Sequence, residues 1–195
     1  MKSVSAAILL SILLSACSTM GEKHYQIAKI ETKFGSILIW LYEDTPMHRE
    51  KFIQLANSAY WDDYSFNRVI QDFVIQGGCP DTEEGFSESV HLLAPEFRDN
   101  IRHVYGTFAA GRDDNPGKLS AACQFYIVQD KAGIPRLDDN YTAYGFVFEG
   151  MDIVETIVRQ ETDDKDQPLA DINLKVRIIE LSETEISNYG FSIPN

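Results

Sequence analysis

The chain has 195 residues, of which 44% are hydrophobic and 24% charged, so it is long enough for one folded domain with an ordinary core. Its 17 Lys and Arg residues against 30 Asp and Glu residues give a formal net charge of −13, which repels nucleic acids and anionic head groups. Three cysteines are too few for a disulfide scaffold, and no pair has the CxxC spacing of a structural zinc site.

The first residues have the pattern of a bacterial export signal. Lys2 precedes an apolar run at residues 6–14, too short to cross about 30 Å of hydrocarbon as a helix. The next residues, LSAC, resemble a lipobox that ends at Cys17, the cysteine that is lipidated after cleavage. We expect residues 1–16 to be a signal peptide and residues 17–25 a lipidated tether to the bacterial cell envelope, outside the cytoplasm. The alternative is an ordinary signal peptide with an incidental cysteine.

An export signal bears on the other two cysteines, Cys79 and Cys123. In an extracytoplasmic compartment two such thiols can form a disulfide. The sequence gives no measure of the distance between them. We prefer the other interpretation, in which both are small buried side chains that act as apolar filler.

The predicted domain, residues 26–182, opens with a hairpin and a helix. Two runs of β-branched and aromatic residues flank a turn at residues 33–35. Thr45 and Pro46 then predict a helix start, with Thr45 as N-cap and Pro46 at the first helical position. Apolar residues at a spacing of three to four continue the helix to about Tyr60, with His48 facing water.

Short strands dominate the rest of the domain. Five are predicted before a second helix at residues 151–160: residues 65–70, 73–78, 107–112, 124–129 and 143–148. An acidic solvated loop at residues 161–168 precedes a last strand at residues 172–181, and residues 183–195 are a C-terminal tail. Many short strands with few helices predict a closed antiparallel barrel, which leaves no exposed sheet edge.

Four separated blocks carry a family resemblance. They are FNRVIQDFVIQGG from residue 66, GTFAAGR from 106, CQFYIV from 123 and LDDNYTAYGFVFEGMDIVE from 137. In this order they resemble the cyclophilins, which are peptidyl-prolyl cis–trans isomerases. The resemblance spans residues 27–181 and implies a mainly β fold, a closed antiparallel eight-stranded barrel capped by two α-helices. It implies proline-containing polypeptides as partners and no cofactor or metal.

The resemblance also implies the site. Rotation about an X–Pro bond needs one fixed guanidinium and an apolar pocket rather than a nucleophile. The implied catalytic residues are Arg68, Phe73, Gln76, Gln124 and Tyr126. The implied substrate-binding residues are Val74, Gly111, Arg112, Leu137 and Tyr141. Arg68 supplies the guanidinium, Gln76 orients it, and Phe73, Val74, Tyr126 and Leu137 form the proline pocket.

Several positions depart from the family pattern. They are Asn67 for a usual His, Val74 for Met, Arg112 for Asn, Tyr126 for Phe and Arg136 for the Trp of some members. Tyr126 adds a hydroxyl at the pocket, and Arg136 puts cyclosporin sensitivity in doubt. The stretch at residues 79–105 lacks the usual Gly-rich turns, which bears on substrate choice.

The remaining polar motifs have simpler interpretations. The four histidines, His24, His48, His91 and His103, show no metal-ligand spacing, so we expect them to be exposed. The acidic residues at 113–115 and 163–164 fit solvated turns better than a calcium loop. Asn140 begins a glycosylation triplet, which a bacterial lipobox makes incidental.

Three functions compete. The first is a membrane-tethered monomeric isomerase that assists the folding of exported proteins. The second is a cyclophilin-like module that binds proline-containing segments without turnover, favoured by Arg112, the unusual stretch at residues 79–105 and the acidic surface. The third is a structural envelope protein on the same barrel. The intact set of Arg68, Phe73, Gln76 and Gln124 favours the enzyme.

Overall fold

The computed structural model describes residues 22–81, 85–86 and 91–194, so the predicted signal peptide and Cys17 lie outside it. This part of the chain contains nine strands and three α-helices. The strands are β1 His24–Thr32, β2 Gly35–Leu41, β3 Phe66–Val69, β4 Val74–Gly78, β5 Leu92–Leu93, β6 Thr107–Gly111, β7 Ser120–Val128, β8 Ala143–Glu149 and β9 Lys175–Ser182. The helices are α1 Pro46–Asn57, α2 Met151–Val158 and α3 Glu183–Asn188, with 3₁₀ turns at Tyr60–Asp63 and Pro135–Leu137.

Eight of the strands form one curled antiparallel sheet. Their order is β3-β4-β7-β6-β8-β2-β1-β9, and the two-residue β5 pairs with β7. The two ends of the sheet are joined where Ser65 bridges Asn173, and where the Phe66 N–H donates to the Ile172 carbonyl at 3.0 Å. The prediction of a mainly β, eight-stranded barrel with two helices packed against it is confirmed.

The barrel interior is filled by aromatic and branched side chains. Phe52 of α1 lies with its ring centroid 4.7 Å from that of Trp61 and 5.3 Å from that of Phe108. Phe108 in turn lies 5.2 Å from Phe125, and all four rings are buried. Because strand residues alternate between faces, these inward positions leave their neighbours on β6 and β7 free to build an outer surface.

The predicted start of α1, with Thr45 at the N-cap and Pro46 first in the helix, is confirmed, but Thr45 does not supply the capping hydrogen bond. Thr45 occupies the N-cap position, but its hydroxyl donates to the Tyr42 carbonyl and makes no cap hydrogen bond. Instead the Glu96 carboxylate accepts from the backbone N–H groups of Met47 at 3.2 Å and His48 at 2.9 Å. Glu96 therefore satisfies the helix N-terminus from a distant part of the chain.

His48 is buried, so the prediction that it faces water is wrong. Its ring Nδ1 lies 2.7 Å from a Glu96 carboxylate oxygen, and its side chain is 1% exposed. Burial lowers the pKa of His48 below its usual range, and the opposing effect of Glu96 is smaller. The pair is thus a neutral imidazole hydrogen-bonded to a carboxylate. His103 is buried as well, whereas His24 is exposed as predicted.

Several element boundaries also differ. β7 begins at Ser120, four residues before the prediction, because its first half pairs with β5. β1 begins at His24, inside the predicted tether. The predicted tail contains α3, which a capping box between Ser182 and Glu185 opens. Residues around α3 cover an apolar cluster on the outside of the barrel, where Phe191 packs 5.7 Å from Trp40.

Cys79 and Cys123 form a disulfide, so the preferred interpretation of two unpaired thiols is wrong. The Cys79 N–H also donates to the Cys123 carbonyl at 3.0 Å, directly beyond the last register pair of β4 and β7. Strand pairing thus brings the two Cα atoms within 5.5 Å across 44 residues of sequence. The bond ties the end of β4 to the middle of β7.

The described residues contain neither a membrane-spanning helix nor a cluster of metal ligands. None of their helices is long and apolar enough to cross a membrane. No group of three or more His, Cys, Asp or Glu side chains within this part of the chain is placed to hold a metal ion.

Candidate active site

All ten residues predicted for the site line one pocket. It has a volume of about 340 Å³ and lies on the outer face of β4, β6 and β7. Asp81 and Arg136 also contribute to its walls. The lining residues are Arg68, Phe73, Val74, Gln76, Asp81, Gly111, Arg112, Gln124, Tyr126, Arg136, Leu137 and Tyr141.

The floor of the pocket is apolar. Val74, Tyr126 and Leu137 are buried there, and the half-buried Phe73 packs against them. Val74 and Tyr126 come from neighbouring strands whose alternate residues point outward, and Leu137 ends a 3₁₀ turn. A proline ring bound on this floor would be removed from water, because the side chains that form the floor are apolar.

Arg68 stands at one side of the floor. It lies opposite Gln76 in the pairing of β3 with β4. These two side chains were predicted to interact, but within the described part of the chain no hydrogen bond joins them. The Arg68 Nε lies instead 3.7 Å from an Asp166 carboxylate oxygen, and the Asp166 carbonyl accepts the Val69 N–H at 2.8 Å. Asp166 thus ties the acidic loop to the strand that carries Arg68.

Gln124 is a polar residue of the pocket that several neighbours hold in place. Its side-chain Nε2 donates to the Cys79 carbonyl at 3.0 Å and to the Asp81 carboxylate at 2.9 Å. A Cβ atom at Gly111 would collide with its amide oxygen. Two hydrogen bonds therefore hold the Gln124 amide in place, and one of them is accepted by a residue that the disulfide fixes. Glycine at position 111 leaves the space that this amide occupies.

The Tyr126 hydroxyl does not face the pocket as the sequence suggested. It lies 2.9 Å from the Nε2 of the buried His103. The other ring nitrogen of His103 lies 2.8 Å from the Asp138 carboxylate, so we assign the proton to Nδ1 and let Nε2 accept from the tyrosine. Burial raises the pKa of Tyr126 well above its usual range and lowers that of His103. The hydroxyl fixes the ring beneath the pocket.

Two arginines stand on the rim. Arg112 packs its guanidinium 4.7 Å from the Tyr141 ring centroid and donates to both oxygens of Asn140, at 2.9 Å and 2.7 Å. It also donates to the Asp113 carbonyl at 2.7 Å. The Arg136 guanidinium lies 4.7 Å from the Phe73 ring centroid. Both cations thus lie against aromatic side chains of the pocket.

A comparison with known families identifies the family of this chain. The sequence model of the cyclophilin-type peptidyl-prolyl cis–trans isomerases matches residues 27–178. The chain belongs to this family. Its curled antiparallel barrel with helices packed against it is the cyclophilin fold, as the sequence predicted.

Similar cyclophilins come from distant organisms. A peptidyl-prolyl cis–trans isomerase of Schizosaccharomyces pombe is 33% identical over 149 residues, which cover 75% of this chain and 94% of that protein. An isomerase-like protein of Rhizopus delemar is 32% identical, but the match covers 78% of this chain and only 28% of the longer relative. A putative isomerase of Staphylococcus aureus is 28% identical, with 73% and 86% covered.

Solved structures show the same fold. A Cryptosporidium parvum cyclophilin, crystallised in the presence of the dipeptide Ala-Pro, superposes with a TM-score of 0.69. The two chains are 23% identical, and the match covers 80% of this chain and 99% of that one. The cyclophilin AquaCyp293 of Hirschia baltica gives a TM-score of 0.57 at 19% identity.

Besides Asp81, which bonds with Gln124, three residues near the cyclophilin site were not predicted from the sequence. Asp166 lies in a loop expected only to be solvated, although an acidic run does offer partners for an arginine. His103 and Asp138 support Tyr126 from below, and no local pattern joins positions so far apart in the chain. Their only sequence signal was the unusual tyrosine, whose hydroxyl needs a partner when buried.

Proposed function

We propose that this cyclophilin isomerises X–Pro bonds of exported polypeptides at a bacterial cell envelope, as a lipid-anchored monomer. The observation that carries the proposal is the position of the Arg68 guanidinium beside the buried floor formed by Val74, Tyr126 and Leu137. One chain supplies the whole pocket, so no second copy is needed to complete it.

The reaction is a rotation. Amide resonance imposes a barrier of about 18–20 kcal/mol on the X–Pro bond, and no covalent bond needs to break. A catalyst must bind the twisted amide better than the planar one. The floor holds the proline ring and excludes water from the amide, which strengthens any nearby electrostatic interaction.

Arg68 provides that interaction. When the amide twists, its nitrogen becomes pyramidal and gains a lone pair that a fixed N–H donor stabilises. The permanent charge and rigid fork of the guanidinium suit this role. The Asp166 carboxylate lies 3.7 Å from the Nε of the guanidinium and helps to orient it. Gln124, anchored by two hydrogen bonds, lies beside the peptide backbone and keeps the substrate in register.

Two features of the chain support the envelope location. The LSAC sequence supplies Cys17 for lipidation. The Cys79–Cys123 disulfide supports an oxidising compartment, because disulfides are rare in the cytosol. A client that folds outside the cytoplasm would meet its slow proline steps there.

The location is tested on the full chain produced in a bacterium with labelled palmitate. We expect label in the wild-type protein, recovery in the membrane fraction, and loss of both in Cys17→Ala. The Cys123→Ala variant is a matched control that keeps the lipobox. Unlabelled wild-type protein in the soluble fraction would contradict the proposed anchor.

A non-catalytic module is the second candidate. It is favoured by the hydrogen bonds that hold Arg112 in place and by the ion pair between Arg68 and Asp166, since both would stiffen a binding surface. Exchange spectroscopy on an Ala–Pro peptide separates the two. Catalysed exchange supports the enzyme, whereas saturable binding without faster exchange supports the module.

A further inference from the structure

The pocket and the whole molecule have opposite charge. The chain carries a formal net charge of −13. The pocket lining contains three arginines, Arg68, Arg112 and Arg136, and one acidic residue, Asp81. A cleft lined by one sign of charge concentrates ligands of the other sign. The excess of positive charge therefore bears on which proline-containing segments the pocket accepts.

Arg112 keeps its charge available. Its guanidinium has five N–H donors, and three of them reach carbonyl oxygens of Asn140 and Asp113. None of these acceptors is a carboxylate. Arg112 also forms no ion pair with any residue in the described part of the chain. The nearby Asp113 carboxylate is occupied by the Phe86 N–H and the Asn115 amide. Arg112 is thus oriented by carbonyl groups rather than by an ion pair, although, after the hydrogen bonds from Asn115 and Phe86, its charge helps to lower the pKa of the neighbouring Asp113.

Arg136 is exposed and packs on an aromatic side chain. Its contact is the face of Phe73, a wall of the proline pocket, and among the described residues it forms no ion pair. Arg68 differs, because Asp166 lies beside it. Asp81 is the acidic residue of the lining, and its carboxylate accepts a hydrogen bond from the Gln124 amide rather than from an arginine. Two guanidinium groups that form no ion pair in this part of the chain therefore border the floor on which the proline ring would lie.

We propose that Arg112 and Arg136 select proline-containing segments that carry Asp or Glu next to the proline. The inference rests on the proposed function and names its substrate class. An acidic side chain beside a proline seated on Tyr126 would meet one of the two guanidinium groups, whereas a lysine there would be repelled. Arginine forms paired hydrogen bonds with carboxylates, so Glu should exceed the neutral isostere Gln.

The test uses the purified full chain and acetylated, amidated peptides. Glu, Gln or Lys is placed directly before or directly after one proline. Catalysed exchange is measured for each peptide as kcat/KM by NMR exchange spectroscopy, relative to uncatalysed exchange of the same peptide. At about 0.15 M salt the Debye length is about 8 Å, so repulsion by distant acidic residues is damped while contacts in the pocket persist.

We expect Glu to exceed Gln by about three- to fivefold at one or both positions, and Lys to fall below Gln. Arg112→Gln or Arg136→Gln should bring the Glu/Gln ratio toward one. Arg159→Gln is the matched control, because it removes the same charge from an exposed position at the end of α2 and should keep the ratio.

A Glu/Gln ratio of one in the wild type would overturn the inference, as would a ratio retained in both Arg112→Gln and Arg136→Gln. Arg136 is exposed, so its variant stays informative if Arg112→Gln fails to fold. If no peptide exchanges faster, the proposed function fails. Affinities of the same peptides from NMR titration then decide the charge preference separately.

Discussion

The two faces of β4, β6 and β7 have different roles, since one forms the barrel core and the other lines the pocket. Ile75, Phe108 and Phe125 point into the barrel and form part of one apolar core. Gln76, Gln124 and Tyr126 alternate with these core residues along the same strands and point to the pocket. Residues that stabilise the core and residues that line the pocket are thus adjacent in the chain. Substitutions at neighbouring positions should therefore damage different properties, either stability or activity.

The outer face also differs in how its side chains are held. Inner residues are held by packing on all sides, whereas the outer polar residues need hydrogen bonds from other segments. Gln124 bonds with Cys79 and Asp81, and Tyr126 bonds with His103. We therefore expect substitutions in these supporting segments to disturb the pocket side chains while the packing of the core stays intact.

The largest effect should come from the inner face. Phe125→Ala removes a ring that contacts Phe52, Trp61, Phe66 and Phe108, and the resulting cavity should lower the free energy of unfolding by about 3–5 kcal/mol. Urea unfolding measures the change. Val104→Ala, at an exposed position, should change it by less than about 0.5 kcal/mol. Equal losses in the two variants would remove the distinction between the faces.

Loss of the disulfide should come next. The double variant Cys79→Ala, Cys123→Ala frees a loop of 44 residues in the unfolded chain and should lower the free energy of unfolding by about 2–4 kcal/mol. Because the Cys79 carbonyl anchors Gln124, kcat/KM should fall as well. Reductant should produce the same two changes in the wild type and none in the double variant. A wild type that reductant leaves unchanged in both properties would count against this coupling.

A single methyl group should damage the outer face. Gly111→Ala places a Cβ against the Gln124 amide and should lower kcat/KM by roughly ten- to a hundredfold through displacement of that side chain. Gly117→Ala is the control, since its Cβ would meet the Leu119 side chain at an ordinary distance of 3.4 Å. If both variants keep wild-type kcat/KM, the position of Gln124 does not limit catalysis.

The smallest effect should be a pH dependence of stability. Burial lowers the pKa of His48 and of His103 in the folded state, so the unfolded chain binds more protons once the pH falls below about 6.5. The stabilisation is complete above that pH and is lost as the pH falls toward the lowered values. Urea unfolding should show lower stability at pH 5.5 than at pH 7.5 in the wild type, and a smaller difference in His103→Gln. A stability that does not vary over this range would contradict the burial of both neutral rings.

Local patterns predicted much of this molecule and long-range contacts the rest. Alternating apolar residues predicted strands such as β4 and β6. The resemblance of four separated blocks to the cyclophilins implied the ten site residues, and the structure brings all ten together in one pocket. The cap of α1 by Glu96 and the disulfide to Cys123 join segments more than forty residues apart. No periodicity records such contacts, because they depend on strand register and on a loop path that only the folded barrel defines.

The central claim is that Arg68 stabilises the twisted amide, and one measurement tests it most directly. NMR exchange spectroscopy compares an Ala–Pro peptide with wild type and with Arg68→Ala, alongside urea unfolding of both proteins. We expect kcat to fall by about 10²–10³ in the variant, with the free energy of unfolding within about 0.5 kcal/mol of the wild type, because the side chain is 38% exposed. Exchange catalysed equally well by a folded Arg68→Ala variant would contradict the account.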